Sequence, residues 1–154
     1  MIKHIWSILC NNSIINQEDN NLTINSVLEE LTASVTVPKG EDVKKPFPLP
    51  INYEIVSLWI REDGREEIKP QIEILLRDPE GNELHKAMPE SVFPKNFLRL
   101  RTRIKVAGLP WTSNGTYIFL VQIKEPGQKL FKAVAELPLQ VKLEIKEVMK
   151  ENKI

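Results

Sequence analysis

Leu98-Arg99-Leu100-Arg101-Thr102-Arg103-Ile104-Lys105-Val106 suits only one regular backbone, an extended strand. Leu98, Leu100, Thr102, Ile104 and Val106 fall on one side of an extended chain. Arg99, Arg101, Arg103 and Lys105 fall on the other. A helix would scatter both sets around its axis, whereas a strand with one buried and one wet face separates them cleanly. The same period of two recurs in Ile72, Ile74 and Leu76 against Gln71 and Glu73. It recurs again in Val141, Leu143 and Ile145 against Lys142, Glu144 and Lys146.

Tyr53–Ile60 and Tyr117–Ile123 are apolar on both faces, which suits central strands or strands whose outer face a partner covers. Further strands are predicted over His4–Cys10, Leu22–Leu28, Ser34–Val37, Glu83–Met88 and Leu130–Ala135. Turn chemistry separates the runs, at Asn11-Asn12, Asp19–Asn21, Glu62–Gly64, Asp78–Asn82, Ser113–Gly115 and Glu125–Gly127. Asp78–Asn82 lies between two strand patterns and predicts a hairpin. Eleven prolines, most of them between the apolar runs, argue against long helices. Pro38–Pro50 and Met88–Asn96 are read as crossings between two sheets. The expectation is an all-β, antiparallel, immunoglobulin-like sandwich of about seven to nine strands. One domain spans residues 1–147, and residues 148–154 form a frayed or short helical tail.

At 154 residues the chain suits one domain that needs no disulfide or metal to support its core. Its formal net charge is zero, so no global field draws it to nucleic acid or anionic lipid. A single cysteine, Cys10, excludes an internal disulfide. The short apolar run near Met1 alternates and reads as a strand, not a signal peptide. No apolar run approaches the roughly 20 residues of a membrane helix. A cytoplasmic location is expected.

Ser113-Asn114-Gly115-Thr116-Tyr117-Ile118-Phe119 resembles the D-x-G-x-Y-x-C segment of immunoglobulin domains, where a tyrosine hydroxyl anchors a strand corner. Ser113 stands in place of the aspartate and Phe119 in place of the cysteine. Trp59 is the candidate core tryptophan. The other reading is a plain hairpin turn followed by an aromatic strand. The first third of the chain also resembles a bacterial single-domain family of unknown function. The landmarks are the strand ending near Cys10, Leu22–Leu31, the Asp-Pro-x-Gly turn at Asp78–Gly81 and the strand Gly115–Phe119. The resemblance implies an immunoglobulin-like sandwich and carries over no activity, cofactor or functional residue.

Catalytic constellations are sparse. Nucleophilic catalysis needs a nucleophile, a base and an orienting group. His4 and Cys10 share a strand face by alternation but stand about 20 Å apart. One cysteine and two histidines do not make a zinc site. Glu18, Asp19, Asp63, Asp78 and Glu80 lack the dense spacing of a calcium loop and read as turn residues. The expectation is a protein that is not an enzyme and uses no cofactor.

Two surface features remain. Arg99, Arg101, Arg103 and Lys105, spaced about 7 Å apart along one strand face, form a positive stripe suited to phosphates or to an acidic partner. Pairing with carboxylates such as Glu73 and Glu144 is the plainer reading. Trp111, read as a loop residue, is either a ligand platform or a side chain folded over the core edge. The function these features suggest is a non-enzymatic interaction or structural module that self-associates as a homodimer or binds another protein, and not nucleic acid or membrane. The alternative is a small-molecule or carbohydrate-binding module.

Overall fold

Pairing of the alternating runs builds two sheets in the computed structural model, which describes residues 1–149. The described chain contains nine strands and no helix. They are β1 (Ile2–Ile15), β2 (Leu22–Val27), β3 (Glu30–Pro38), β4 (Phe47–Arg61), β5 (Gln71–Arg77), β6 (Glu83–Ala87), β7 (Arg99–Trp111), β8 (Gly115–Lys124) and β9 (Lys132–Val148). The first sheet runs β2-β1-β4-β7 and the second β3-β9-β8-β5-β6. One buried cluster joins them: Leu9, Ile55, Trp59 and Leu109 from the first meet Ile74, Phe119, Val121 and Val141 from the second. Both long loops do cross between sheets, and Asp78–Asn82 closes the β5–β6 hairpin.

The sheets are not all antiparallel. β3 runs parallel to β9 from Glu30 opposite Gln140 to Pro38 opposite Val148. The chain leaves the first sheet after Val27 and enters the second within a few residues, without reversing along β9. Leu31, Ala33 and Val35 pack against the core while Thr32, Ser34 and Thr36 face solvent.

Several boundaries also differ from the expectation. Lys132–Ala135, the latter part of the expected strand Leu130–Ala135, and Val141–Ile145 belong to one strand, β9, despite Pro138. Pro138 pairs with Ile118 of β8, and the β3 ladder begins only at Gln140. The proline therefore sits where β9 is still an edge and its missing N–H interrupts no second ladder. β9 continues through Lys146–Val148, so those residues are strand; residues 150–154 of the expected tail lie outside the described residues. Asn11-Asn12 is not a turn, because β1 runs on to pair with β2. β4 begins at Phe47, inside the expected loop, and β7 extends to Trp111.

β1 does two jobs. Ile2–Cys10 pairs with β4, whereas Cys10–Ile15 pairs with β2. The β1–β2 hairpin bends across the outward face of the first sheet: Ser13 bonds to Glu54 of β4 and Arg103 of β7, and the hairpin loop at Asn20 meets Arg101. Val56 and Cys10, which face outward on β4 and β1, are fully buried. The two-faced character of Tyr53–Ile60 thus has a local cause: β4 is central, and the chain's own hairpin lies across it.

Candidate functional site

β7 is an edge strand of the first sheet, with β4 on one side and no strand on the other among the described residues. Its alternation fixes its faces as the sequence predicts. Leu100, Ile104 and Val106 pack inward on the core. The cationic row faces outward, and its neighbours on β4 are Ile60, Leu58, Val56 and Glu54, opposite Arg99, Arg101, Arg103 and Lys105 respectively. Only one of the four neighbours is acidic.

The row divides into held and free members. Arg103 donates from Nε to the Ser13 hydroxyl at 2.9 Å and from Nη2 to the Ser13 carbonyl at 2.8 Å. Its Nε also stands 3.8 Å from the buried carboxylate of Glu54. Arg101 donates to the carbonyl of Asn20 at 3.2 Å, while its Nε is buried without a partner among the described residues. Burial lowers the Arg101 pKa, and the flanking charges of Arg99 and Arg103 lower it further. Arg99 and Lys105 are exposed, and no ion pair among the described residues involves either. Pairing with Glu73 and Glu144 does not occur, because both carboxylates belong to the second sheet. Glu73 accepts from Gln122 at 2.8 Å, and Glu144 lies 3.7 Å from Lys142.

A groove of about 480 Å³ runs beside the edge, between Arg101–Ile104 of β7 and the segment Ala87–Glu90 at the end of β6. Exposed Met88 lies on its far wall, and exposed Phe97 and Leu98 directly precede β7. Toward the C-terminal end of the strand the edge is interrupted by Gly108, at φ +87°, and by Pro110, which has no N–H to offer. The unbroken edge is therefore Arg99–Val106. Met88, Phe97 and Leu98 are plain in the sequence, but alternation alone does not say that a hairpin end and a loop bring them to one edge.

The chain matches no protein-family model and no curated protein.

Trp111 is not an exposed platform. It is the last residue of β7, buried, with Nε1 donating to Asn114 Oδ1 at 2.9 Å and Lys45 over its ring at 5.5 Å. Asn114 in turn accepts from the Leu143 N–H, so the indole belongs to the packing of the β7–β8 turn onto β9. Tyr117 holds the same turn. Its hydroxyl donates to the Ser113 carbonyl at 2.8 Å and accepts from the N–H of Thr112 at 2.9 Å.

The other candidate residues occupy structural roles. Asp78 is buried and accepts from the N–H groups of Glu80 and Asn82 and from the Thr112 hydroxyl. Burial alone would raise its pKa, but these donors prevail and hold it below the ordinary carboxylate value. Asp63 forms a surface pair with Arg65, and Asp19 caps the N–H of Asn21. His4 and Cys10 do not share a face. A β-bulge between His4 and Trp6 sets His4 opposite Trp59, toward the core, and Cys10 opposite Glu54, outward. His4 instead begins a chain of hydroxyls that alternation did not reveal: Nε2 lies 2.7 Å from Ser7 Oγ, which lies 2.7 Å from buried Ser57 Oγ. No carboxylate bonds to His4 among the described residues.

Proposed function

We propose that the protein is a non-enzymatic interaction module, an immunoglobulin-like sandwich whose β7 edge receives an extended acidic segment of another protein. The observation that carries this reading is the pair of exposed cations, Arg99 and Lys105, without an ion-pair partner among the described residues on a free strand edge. An unpaired edge presents a ladder of N–H and C=O groups that an incoming strand completes. Acidic side chains at alternate positions of that strand would lie opposite Arg99, Arg101 and Lys105. Met88, Phe97 and Leu98 offer apolar contacts beside them.

A second copy of the chain fits this edge poorly. Antiparallel pairing of β7 with itself about Thr102 sets Arg101 opposite Arg103 and Arg99 opposite Lys105. Like charges directly opposite destabilise a sheet pair. The homodimer expected from the two-faced strands loses its main motive as well, since the β1–β2 hairpin lies over β4.

The immunoglobulin-like part of the reading rests on the Tyr117 corner and on Phe119 two residues beyond it. Phe119, in the position of the family's cysteine, packs edge-on against Tyr53 of β4, with ring centroids 5.5 Å apart. An aromatic pair thus spans the two sheets where the family has its disulfide. Trp59 departs from the pattern: it faces the core from β4, beside β1 and β7, and bonds to Thr102.

The test uses a fluorescein-labelled peptide of alternating Glu and Val, with a Lys and Val peptide as control, read by anisotropy. Saturable binding of the acidic peptide is expected, with hydrogen-exchange protection on β7. The double variant Arg99→Glu/Lys105→Glu should weaken it at least tenfold, and raised salt should weaken it too. Equal binding of both peptides, or binding without protection of β7, would overturn the proposal.

A further inference from the structure

β6 and β7 are the edges of the two sheets on the same side of the molecule, and β6 spans only Glu83–Ala87. Near Val106–Pro110 the short strand leaves the space between the sheets open. A cleft of about 360 Å³ results, within the range of small-molecule sites, roughly 300–1,000 Å³, and near its lower end. Leu76, Leu84 and Leu109 supply aliphatic walls, and Pro46, Pro48 and Pro110 supply flat ring faces. No Lys, Arg, Asp or Glu of the described residues lines it. His85, on β6, and Tyr53 are its titratable groups.

Tyr53 is the informative residue. It projects inward from β4 and is 3% exposed, yet its hydroxyl has no hydrogen-bond partner among the described residues. Nor is that hydroxyl among the polar atoms sealed from solvent without a partner. A tyrosine buried this far normally places its hydroxyl on a protein acceptor, as Tyr117 does. Tyr53 leaves its hydroxyl to whatever enters the cleft.

We infer that this cleft binds a small neutral aromatic molecule, whose single hydrogen-bonding group meets the Tyr53 hydroxyl. The lining sets each attribute. An ionic ligand would lose hydration with no counter-charge in the walls. A flat body matches the proline faces and the phenol ring. One polar group matches the one unpaired hydroxyl on a side chain that is otherwise buried. This site is distinct from the cationic edge of β7 and does not require a peptide there.

The experiment titrates N-phenyl-1-naphthylamine, a neutral fluorophore with one N–H, into the full chain. A saturable 1:1 rise in emission is expected. Tyr53→Phe should weaken it about fivefold, the worth of one neutral hydrogen bond. Leu84→Trp should abolish it by filling the cleft, and His85→Trp, at an exposed strand position, is a second blocking variant. Thermal melts identify variants that remain folded, and the acidic-peptide assay should be unaffected by Tyr53→Phe. Absence of a saturable signal overturns the inference. So does a signal that survives a folded blocking variant, or one that Tyr53→Phe leaves unchanged.

Discussion

Arg103 donates from Nη2 to the backbone carbonyl of Ser13 at 2.8 Å, joining residues ninety positions apart. The contact ties the β1–β2 hairpin to the far strand of the first sheet, across β4. The Ser13 hydroxyl completes the tie: it accepts from Arg103 Nε and donates to the Glu54 carboxylate. One member of the cationic row therefore acts as a clasp, and the carboxylate it faces is almost fully buried.

Truncating the clasp should cost more than truncating its neighbour. Arg103→Ala leaves Glu54 and the Ser13 carbonyl short of a donor, a loss of about 1–3 kcal/mol. Arg99→Ala removes an exposed cation and should stay within about 0.5 kcal/mol of the parent. Urea denaturation compares the two. Cys10 supplies an independent readout. Its thiol is fully buried, and burial, followed by the charge of Glu54, pushes its pKa up, so it should resist alkylation in the native protein. Arg103→Ala should speed its modification under native conditions by loosening the hairpin over it. Equal stability losses in the two alanine variants would show that the clasp contributes nothing of its own.

The turn between β7 and β8 should be sensitive at two positions. Tyr117→Phe keeps the ring in the core and removes only the hydroxyl that bonds to Ser113 and Thr112. A cost of about 1–2 kcal/mol is expected for these partly buried groups. Gly115→Ala should also destabilise, for a different reason. Gly115 has φ +144°, and an added Cβ would stand 2.9 Å from Pro79 Cβ in the β5–β6 turn. Thermal unfolding of both variants tests the corner; a Tyr117→Phe melt matching the parent would mean that the hydroxyl bonds are energetically idle.

These same residues mark what is legible in the sequence and what is not. Alternation places Arg99, Arg101, Arg103 and Lys105 on one face, because period two is a local property of strand geometry. Gly115-x-Tyr117 leaves a corner and a plain hairpin turn open; the Tyr117 hydroxyl bonds and the placement of β7 and β8 in different sheets rule out the plain hairpin. The partner of the row is not legible. Ser13 meets Arg103 only because β1 bends away from β4 and carries its end across the sheet, and Glu54 meets it because β4 pairs with β7; no spacing encodes either. The bulge after His4 has the same effect on a smaller scale. One extra residue reverses the relative facing of His4 and Cys10, which strict alternation puts together. The parallel β3–β9 pair escapes for a related reason: periodicity fixes faces, not neighbours.

His4 should make stability depend on pH. The imidazole packs edge-on against Trp59, centroids 5.1 Å apart, and shares a hydrogen bond with Ser7. Burial lowers its pKa below the ordinary value of 6.5, opposed in part by a backbone contact at Trp6. In the unfolded chain His4 takes up its proton near 6.5, whereas in the folded protein it does so only at lower pH. Between those values the unfolded state binds more protons, so stability falls as pH falls. The contribution is complete above pH 6.5 and is lost as the pH drops through the folded pKa. Urea denaturation of the native protein at about pH 7.5, 6.5 and 5.5 should show that decline. His4→Gln retains a group able to bond to Ser7 but cannot titrate, and its stability should fall less over the same interval. Equal slopes in the two proteins would mean that His4 protonates as readily in the folded chain as in the unfolded one.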